Sequence, residues 1–182
     1  YVRISVTDRC NLRCVYCMPE EGVCSISHEE ILRFGEIERV CQILAENGIQ
    51  KIKLTGGEPL VRRRLPELAA ALKQIPGIKS LTITTNGVLL EEMYDALADA
   101  GVDSVTISLD TLDAETFAQI TGQDLLPEVL KSIDASLEAG LKVKVNAVSM
   151  PDTDWRRKIQ TDQTIYTRLI PRVVPGADSF RL

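Results

Sequence analysis

VRISVTDRCNLRCVYC (residues 2–17) begins as an alternating strand and ends in a loop that carries three cysteines. The alternation of apolar and polar residues over 2–6 is typical of a β-strand. Cys10, Cys14 and Cys17 follow it, separated by three and then two residues, so all three thiols can reach one metal cluster. Thiolates are the ligands that iron–sulfur clusters take. Three protein ligands would leave one of four irons open, which is typical of a catalytic metal site.

The other cysteines do not suggest a disulfide framework. The chain has five cysteines, an odd number, and all of them lie in the first quarter of an otherwise ordinary sequence. Cys41 falls on the apolar stripe of a predicted helix and is expected to pack as a small core residue. Cys24 is expected to lie in a loop and not to bind metal. His28 is the only histidine, which argues against a site built from several imidazoles.

Strands and helices alternate along the rest of the chain. A capping box of Ser27 and Glu30 opens a helix that Asn47-Gly48 ends. Further strands are predicted over 51–55, 81–85, 102–109 and 141–148, and further helices over 65–74, 89–100 and 127–139. Residues 165–174 are a candidate for a sixth strand. Strands that alternate with helices predict right-handed βαβ units and a mostly parallel α/β sheet.

Four of the predicted strands have a polar or glycine-rich exit at the carboxyl end. In parallel α/β folds, ligands bind at this edge of the sheet. We therefore expect the exits to form one site: the cysteine loop, Gly56-Gly57-Glu58, Thr85-Asn86-Gly87 and Ser108-Leu109-Asp110.

Composition narrows the classes of partner. With 182 residues, 45% of them hydrophobic, the chain is long enough for one domain with a real core. A net charge of −5 argues against a general nucleic-acid binder. No apolar run reaches the roughly 18 residues that a membrane-spanning helix needs. A cytoplasmic protein with no membrane partner is expected.

The cysteine loop resembles that of the radical S-adenosylmethionine (SAM) superfamily, whose pattern is Cys-x3-Cys-x2-Cys with an aromatic residue before the last cysteine. Gly56-Gly57-Glu58-Pro59 is similar to the SAM-binding turn of that superfamily. The resemblance implies a partial (β/α)6 barrel of five or six units. It also implies a 4Fe–4S cluster whose open iron binds SAM, and a 5′-deoxyadenosyl radical that takes a hydrogen atom from the substrate. No catalytic side chain is expected beyond the cluster and SAM.

Within that superfamily, residues 1–150 most resemble the GTP 3′,8-cyclases, the molybdenum cofactor biosynthesis protein A family. Beyond the cysteine loop, the likeness extends to Leu54–Leu60, Thr84–Gly87, Ser108–Asp110 and Lys142–Asn146. It implies SAM contacts from Tyr16, Gly56, Gly57, Glu58, Asn86 and Ser108. It implies GTP contacts from Arg3, Lys53, Thr84 and Lys144. Lys53 stands where the family has an arginine, which keeps the charge but loses the bidentate geometry.

The resemblance implies partners and a domain boundary. Residues 1–150 would form the radical SAM core barrel and residues 151–182 a divergent tail that contains the sixth strand. The family continues with a second three-cysteine cluster, which this sequence does not contain. GTP is the expected substrate and a reductase or flavodoxin-type protein the expected electron donor, while a homodimer is left open.

Other interpretations stay open from the residues alone. The cysteine loop could be a zinc-binding turn, and Tyr16 could be a packing residue. Short polar residues at strand ends, such as Thr84, Asn86 and Ser108, often satisfy only backbone groups. Arg62-Arg63-Arg64 could bind phosphate or form a solvated surface run.

Three functions therefore compete. The first is a GTP 3′,8-cyclase that removes the ribose 3′ hydrogen of GTP. The second is a radical SAM enzyme that acts on a peptide or a partner enzyme. The third is an inactive fragment that lacks the C-terminal cluster.

Overall fold

Each strand of the sheet pairs in parallel with the next strand of the chain, and at least one helix joins each of the first four strands to the next. The structure, a computed structural model, describes residues 1–17, 26–27, 29–149 and 166–171. The strands are β1 (Val2–Ser5), β2 (Lys51–Thr55), β3 (Ser80–Thr85), β4 (Ser104–Ser108), β5 (Lys142–Ser149) and β6 (Tyr166–Pro171). The α-helices are α1 (Phe34–Glu46), α2 (Leu65–Lys73), α3 (Tyr94–Asp99), α4 (Ala114–Thr121) and α5 (Leu126–Glu138).

The strand order confirms the predicted α/β fold with a partial (β/α)6 barrel. The order is β1-β2-β3-β4-β5-β6, so every crossover connects to the neighbouring strand in the same direction. Because such crossovers keep one hand, they place the helices side by side on one face of the sheet. Contacts of α2 with both α1 and α3, and of α5 with both α3 and α4, form that layer. The predicted sixth strand is present as β6, which pairs with β5.

The two faces of the sheet differ in chemistry. On β2, Ile52 and Leu54 are buried against the helices, and apolar residues alternate in the same way on β3, β4 and β5. Apart from Val148, the alternate positions of these strands are polar or charged: Lys51, Lys53, Thr55, Ser80, Thr82, Thr84, Ser104, Thr106, Ser108, Lys142, Lys144 and Asn146. A strand buried between two apolar layers would be apolar throughout. The face opposite the helices is therefore built for a polar occupant, and we call it the concave face.

The first predicted helix begins later than expected. Ser27 and Glu30 do interact as the capping box predicts, with the Ser27 hydroxyl 2.9 Å from Glu30 Oε2. They close a single turn, however, and α1 begins only at Phe34. A second pair of the same kind, Arg33 N donating to Glu36 Oε2 at 2.6 Å, caps the actual helix start. The sequence signal was correct for local bonding and wrong for the helix boundary.

The helix predicted over 89–100 is also shorter, because α3 covers only Tyr94–Asp99. The amide of Glu91 donates to the hydroxyl of Ser132 on α5 at 2.9 Å instead of to a helical carbonyl. A tertiary contact thus replaces the first regular turn. Helix α4 was not predicted from the sequence; Asp113 caps it by accepting a 2.8 Å hydrogen bond from Thr116 N.

None of the helices in the described part of the chain combines the length and apolar character needed to cross a membrane.

Leu54 tests the contribution of the helix-facing core. Its side chain is fully buried on β2, so Leu54→Ala removes three buried carbons and leaves a cavity. We expect the free energy of unfolding to fall by about 2–5 kcal/mol in denaturant titrations followed by circular dichroism. Ile43→Ala, at a residue 44% exposed on α1, is the control and should cost much less. Equal losses for the two variants would contradict this account of the core.

Candidate functional site

The cysteine loop leaves β1 and is held against the C-terminal end of α4. Arg13 N donates to Thr121 O at 2.8 Å and Val15 N donates to Ile120 O at 2.9 Å. The last carbonyls of a helix have no partner within the helix, so the loop satisfies them and is fixed in return. The Arg13 guanidinium also donates to Cys10 O at 2.7 Å. The loop that presents the thiols is therefore a bonded part of the scaffold.

All three loop cysteines line one cavity of about 270 Å³ at the carboxyl edge of the sheet. Cys10, Cys14 and Cys17 are free thiols, with no disulfide between them. Within the residues that the structure describes, no three cysteine, histidine or acidic side chains converge on a point suited to one metal ion. In an iron–sulfur cluster each thiolate binds a different iron, so the thiols need not converge on one point. Three free thiols on one cavity are the donor set that such a cluster takes.

The environment of the cavity disfavours the deprotonated form of Cys14. Burial, followed by repulsion from Cys17, raises the pKa of Cys14 to about 11, although a hydrogen bond with Tyr16 acts in the opposite direction. Thiolate ligands lose their protons when they bind a metal centre. A cationic centre is therefore what would stabilise the charged form of these side chains here.

The Gly-Gly turn after β2 packs directly on the backbone that leads to Cys10. Gly57 N donates to Thr7 O at 2.8 Å, and Glu58 N donates to Arg9 O at 2.7 Å. A Cβ atom on Gly57 would lie 2.4 Å from Arg9 O, and one on Gly56 would lie 2.4 Å from Thr7 O. Both glycines line the cavity. The glycines are thus required for backbone contact between two strand exits, whatever ligand they also meet.

Glu58 does not line the cavity, although the sequence analysis placed it among the SAM contacts. Its side chain is 1% exposed, and its carboxylate accepts hydrogen bonds from Leu60 N at 2.9 Å, Thr85 Oγ1 at 2.8 Å and Asn86 N at 2.6 Å. Burial raises the pKa of Glu58, and these three donors oppose the rise. In this structure Glu58 ties the exit of β2 to the exit of β3.

Asn86 connects that network to the cysteine loop. Its Nδ2 donates to Asn11 Oδ1 at 2.7 Å and lies 3.9 Å from Cys10 Sγ. Leu12 N also approaches Cys10 Sγ, at 3.4 Å. Hydrogen bonds to the sulfur ligands help to set the reduction potential of an iron–sulfur cluster. The Asn86 side chain therefore lies at the boundary between the strand exit and the predicted metal ligands.

A hydrogen bond to Asp110 fixes the Tyr16 side chain. Its hydroxyl donates to Asp110 Oδ2 at 2.6 Å, and Asp110 Oδ1 accepts from Val148 N at 2.7 Å. Burial, with the bond to the Asp110 carboxylate, raises the pKa of the tyrosine. Asp110 was predicted at the polar edge of the sheet but not among the site residues. Its contact with Val148 depends on the pairing of β4 with β5, which brings the two residues together.

The remaining predicted ligands line two different cavities on the concave face. Arg3, Thr84 and Ser108 line the same cavity as the cysteines. Thr84 Oγ1 is buried without a hydrogen-bond partner among the described residues, which is an unmet need that a ligand could satisfy. Lys53 and Lys144 instead line a second cavity of about 260 Å³ on the same face. The structure therefore brings ten of the thirteen predicted residues to the first cavity, and not Glu58, Lys53 or Lys144.

The three consecutive arginines have different environments. The Arg62 guanidinium donates to the backbone carbonyls of Val6 and Leu32. Arg64 pairs with Glu67 on the surface, and Arg63 is exposed. The run is therefore not one phosphate site.

The remaining sequence expectations concern isolated residues. Cys41 is buried in the core, as expected. Cys24 and His28 lie outside the described residues.

Comparison with known proteins shows which sequences and folds the chain resembles. The sequence profile of the Radical SAM superfamily matches residues 4–161. A GTP 3′,8-cyclase of Pelotomaculum thermopropionicum is 56% identical over 149 residues, which is 81% of this chain and 46% of that protein. The chain spans about half the length of the curated relatives it matches.

Solved structures share the fold. Methylornithine synthase superimposes with a TM-score of 0.76 at 17% identity, over 93% of this chain and 52% of that one. Native anSMEcpe with bound AdoMet gives a TM-score of 0.73 at 18% identity, over 93% and 50% of the two chains. At these identities the likeness concerns the fold alone.

Gly57→Ala tests the close contact between the two strand exits. The new Cβ must displace Arg9 O, so we expect a loss of about 1–3 kcal/mol in the free energy of unfolding. Gly35→Ala is the control, because a Cβ at Gly35 meets nothing within 4 Å on helix α1, and it should stabilise by about 0.5–1 kcal/mol. Denaturant titration measures both. A Gly57 variant as stable as the wild type would show that the backbone contact is not needed.

Glu58→Gln tests the buried carboxylate. The glutamine amide group would present a donor to the Asn86 amide, which would then lose its acceptor. We expect the free energy of unfolding to fall by about 1–3 kcal/mol at neutral pH. Glu92→Gln, at an exposed residue, should leave it unchanged. If both substitutions are neutral, Glu58 does not hold the two exits together.

Proposed function

Because this chain belongs to the radical SAM superfamily, we propose that it forms the barrel portion of a GTP 3′,8-cyclase of molybdenum cofactor biosynthesis. One observation carries the proposal: Cys10, Cys14, Cys17 and the Gly56-Gly57 turn line one cavity on a sheet face that is polar and basic. Similarity to curated GTP 3′,8-cyclases supports the choice of substrate.

In this proposal Cys10, Cys14 and Cys17 hold a 4Fe–4S cluster, and one iron without a protein ligand binds SAM. The family to which the chain belongs implies this cofactor pair. The bound cluster and SAM supply the radical chemistry, while the protein orients the reactants and excludes solvent. Tyr16, Gly56, Gly57, Asn86 and Ser108 surround the space that SAM would occupy. Glu58 acts through Asn86 and Thr85 as a positioning residue.

The substrate would extend along the concave face, away from the cluster. Arg3 and Lys53 are direct neighbours in the β1–β2 register. Lys144 pairs with Thr106 in the β4–β5 register, and Lys53 and Lys144 line the same cavity. Three cations on one polar surface suit a triphosphate, since guanidinium and ammonium groups both donate to phosphate oxygens. Thr84, with its unpartnered hydroxyl, lies in the cavity nearer the cysteines.

The test is anaerobic reconstitution of the chain with iron and sulfide, followed by measurement of 5′-deoxyadenosine formed from SAM under dithionite. We expect a brown protein whose SAM cleavage rises when GTP is added and does not rise with ATP. Cys14→Ala should abolish both the visible absorbance of the cluster and the cleavage, because one of the three proposed thiolate ligands is lost. Cys41→Ala is the matched control and should retain the cluster, since Cys41 lies in the core.

The outcomes separate the competing functions. A colourless protein that does not cleave SAM would contradict the proposal altogether. Cleavage that GTP does not change would favour a radical SAM enzyme with another substrate. A cluster that forms without any SAM cleavage would favour an inactive barrel.

A further inference from the structure

A second recess lies behind the cysteine loop, and arginines surround it. Its volume is about 600 Å³, and we call it the arginine pocket after Arg9, Arg33, Arg62 and Arg63. The described residues that complete its lining are Val6, Thr7, Ile31 and Val61. No carboxylate is among these described lining residues. The pocket shares no described lining residue with the cavity that holds the cysteines.

One arginine of the pocket, Arg62, is held by contacts with neighbouring residues, and the other three are exposed. The Arg62 guanidinium donates to Leu32 O at 2.6 Å and to Val6 O, and it lies 4.4 Å from the centroid of the Phe34 ring. These contacts hold Arg62 in place. Arg9, Arg33 and Arg63 are exposed. The ion pairs of the described residues involve Arg64 and Lys73 and none of these three.

Two helix starts add to the positive potential. Helix α1 begins at Phe34, directly after Arg33, and helix α2 begins at Leu65, two residues after Arg63. The N-terminus of a helix carries about half a positive charge. The chain as a whole has a net charge of −5. The four arginines thus make a local positive patch on a chain whose net charge is negative.

The pocket also lies next to the predicted cluster. Arg9 directly precedes Cys10, and the Thr7–Arg9 segment forms one wall of the pocket. The carbonyls of the same segment accept hydrogen bonds from the Gly57 and Glu58 amides on the side of the cysteine cavity. One backbone segment thus separates the two recesses. The cysteine cavity would be filled by SAM and substrate, so an electron must reach the cluster from another side.

We propose that the arginine pocket is the docking surface for a small acidic flavoprotein that reduces the cluster. The inference rests on the proposed radical SAM function. One electron leaves the reduced flavin, the donor is oxidised by one electron, and the cluster is reduced by one electron, with no atom transferred. Complementary charge steers such encounters and raises the association rate, and salt weakens the effect. Arg33 and Arg63 form the exposed part of this surface, and Arg62 supports it.

The experiment compares two reductants on the reconstituted protein. Reduced flavodoxin needs a docking surface, whereas dithionite is a small molecule that does not. For Arg33→Glu combined with Arg63→Glu, we expect the second-order rate of flavodoxin-supported SAM cleavage to fall by about tenfold or more at low salt, because like charges now oppose each other. Dithionite-supported cleavage should stay within about twofold of wild type, since no protein docking is involved.

The matched control is Arg39→Glu, at an exposed residue of α1 that does not line the pocket. It should change neither rate. Cluster absorbance and thermal unfolding verify that each variant is folded and loaded. The wild-type flavodoxin rate should fall with rising ionic strength, and the double variant should lose most of that dependence.

Three results would overturn the proposal. The flavodoxin-supported rate of the double variant could equal that of the wild type. Both reductants could lose rate equally, which would assign the arginines to the SAM site. The double variant could instead lose binding of GTP or inorganic phosphate in equilibrium dialysis, which would make the pocket a small-anion site. The GTP response of dithionite-supported cleavage tests the proposed function separately, because no donor protein takes part in it.

Discussion

The structure depends on two backbone hydrogen bonds between neighbouring strand exits, from Gly57 to Thr7 and from Glu58 to Arg9. They bring the turn after β2 so close to the segment before Cys10 that neither Gly56 nor Gly57 has room for a Cβ atom. Parallel strands alone would place these exits at the same edge of the sheet. The two bonds do more, because they set the distance between the cysteine loop and the turn that faces it.

A second layer of contacts makes this edge rigid. Glu58 connects the exits of β2 and β3, Asn86 continues from there to the cysteine loop, and Asp110 connects Tyr16 to β5. These residues exchange hydrogen bonds across segments far apart in the chain. A site assembled in this way can hold reactants in one orientation, which is what a cofactor with reactive chemistry requires of its protein. In the proposed function, the polar concave face would offer the space below the cysteines to a charged substrate.

The same edge has two chemically different sides. The cysteine cavity opens on the concave face, where Thr84 and Ser108 line it, while the arginine pocket lies beyond the Thr7–Arg9 segment. A reaction that needs a substrate and an electron benefits from separate routes for the two. In the proposed function, both routes would pass the same short segment, because it lies between β1 and the first cysteine.

The sequence by itself determined the parallel α/β architecture and the cysteine loop. Alternating strands and helices with polar strand exits leave few other folds, and Cys10, Cys14 and Cys17 lie within eight residues of each other. Their common site therefore needs no long-range information. The sequence also contained the polar alternation of β2 to β5, although its meaning as a concave face became clear only when the strands were seen paired.

Only the tertiary structure decided the roles of residues that act across the sheet. Glu58 was predicted to contact SAM and is buried with three hydrogen bonds, Asp110 was predicted at the edge and holds Tyr16, and Lys53 and Lys144 line a second cavity. The late start of α1 and the short α3 have the same origin, since contacts from Arg33 and Ser132 compete with regular helix bonding. The physical reason is that hydrogen-bond partners distant in sequence are chosen by packing, which no local spacing can encode.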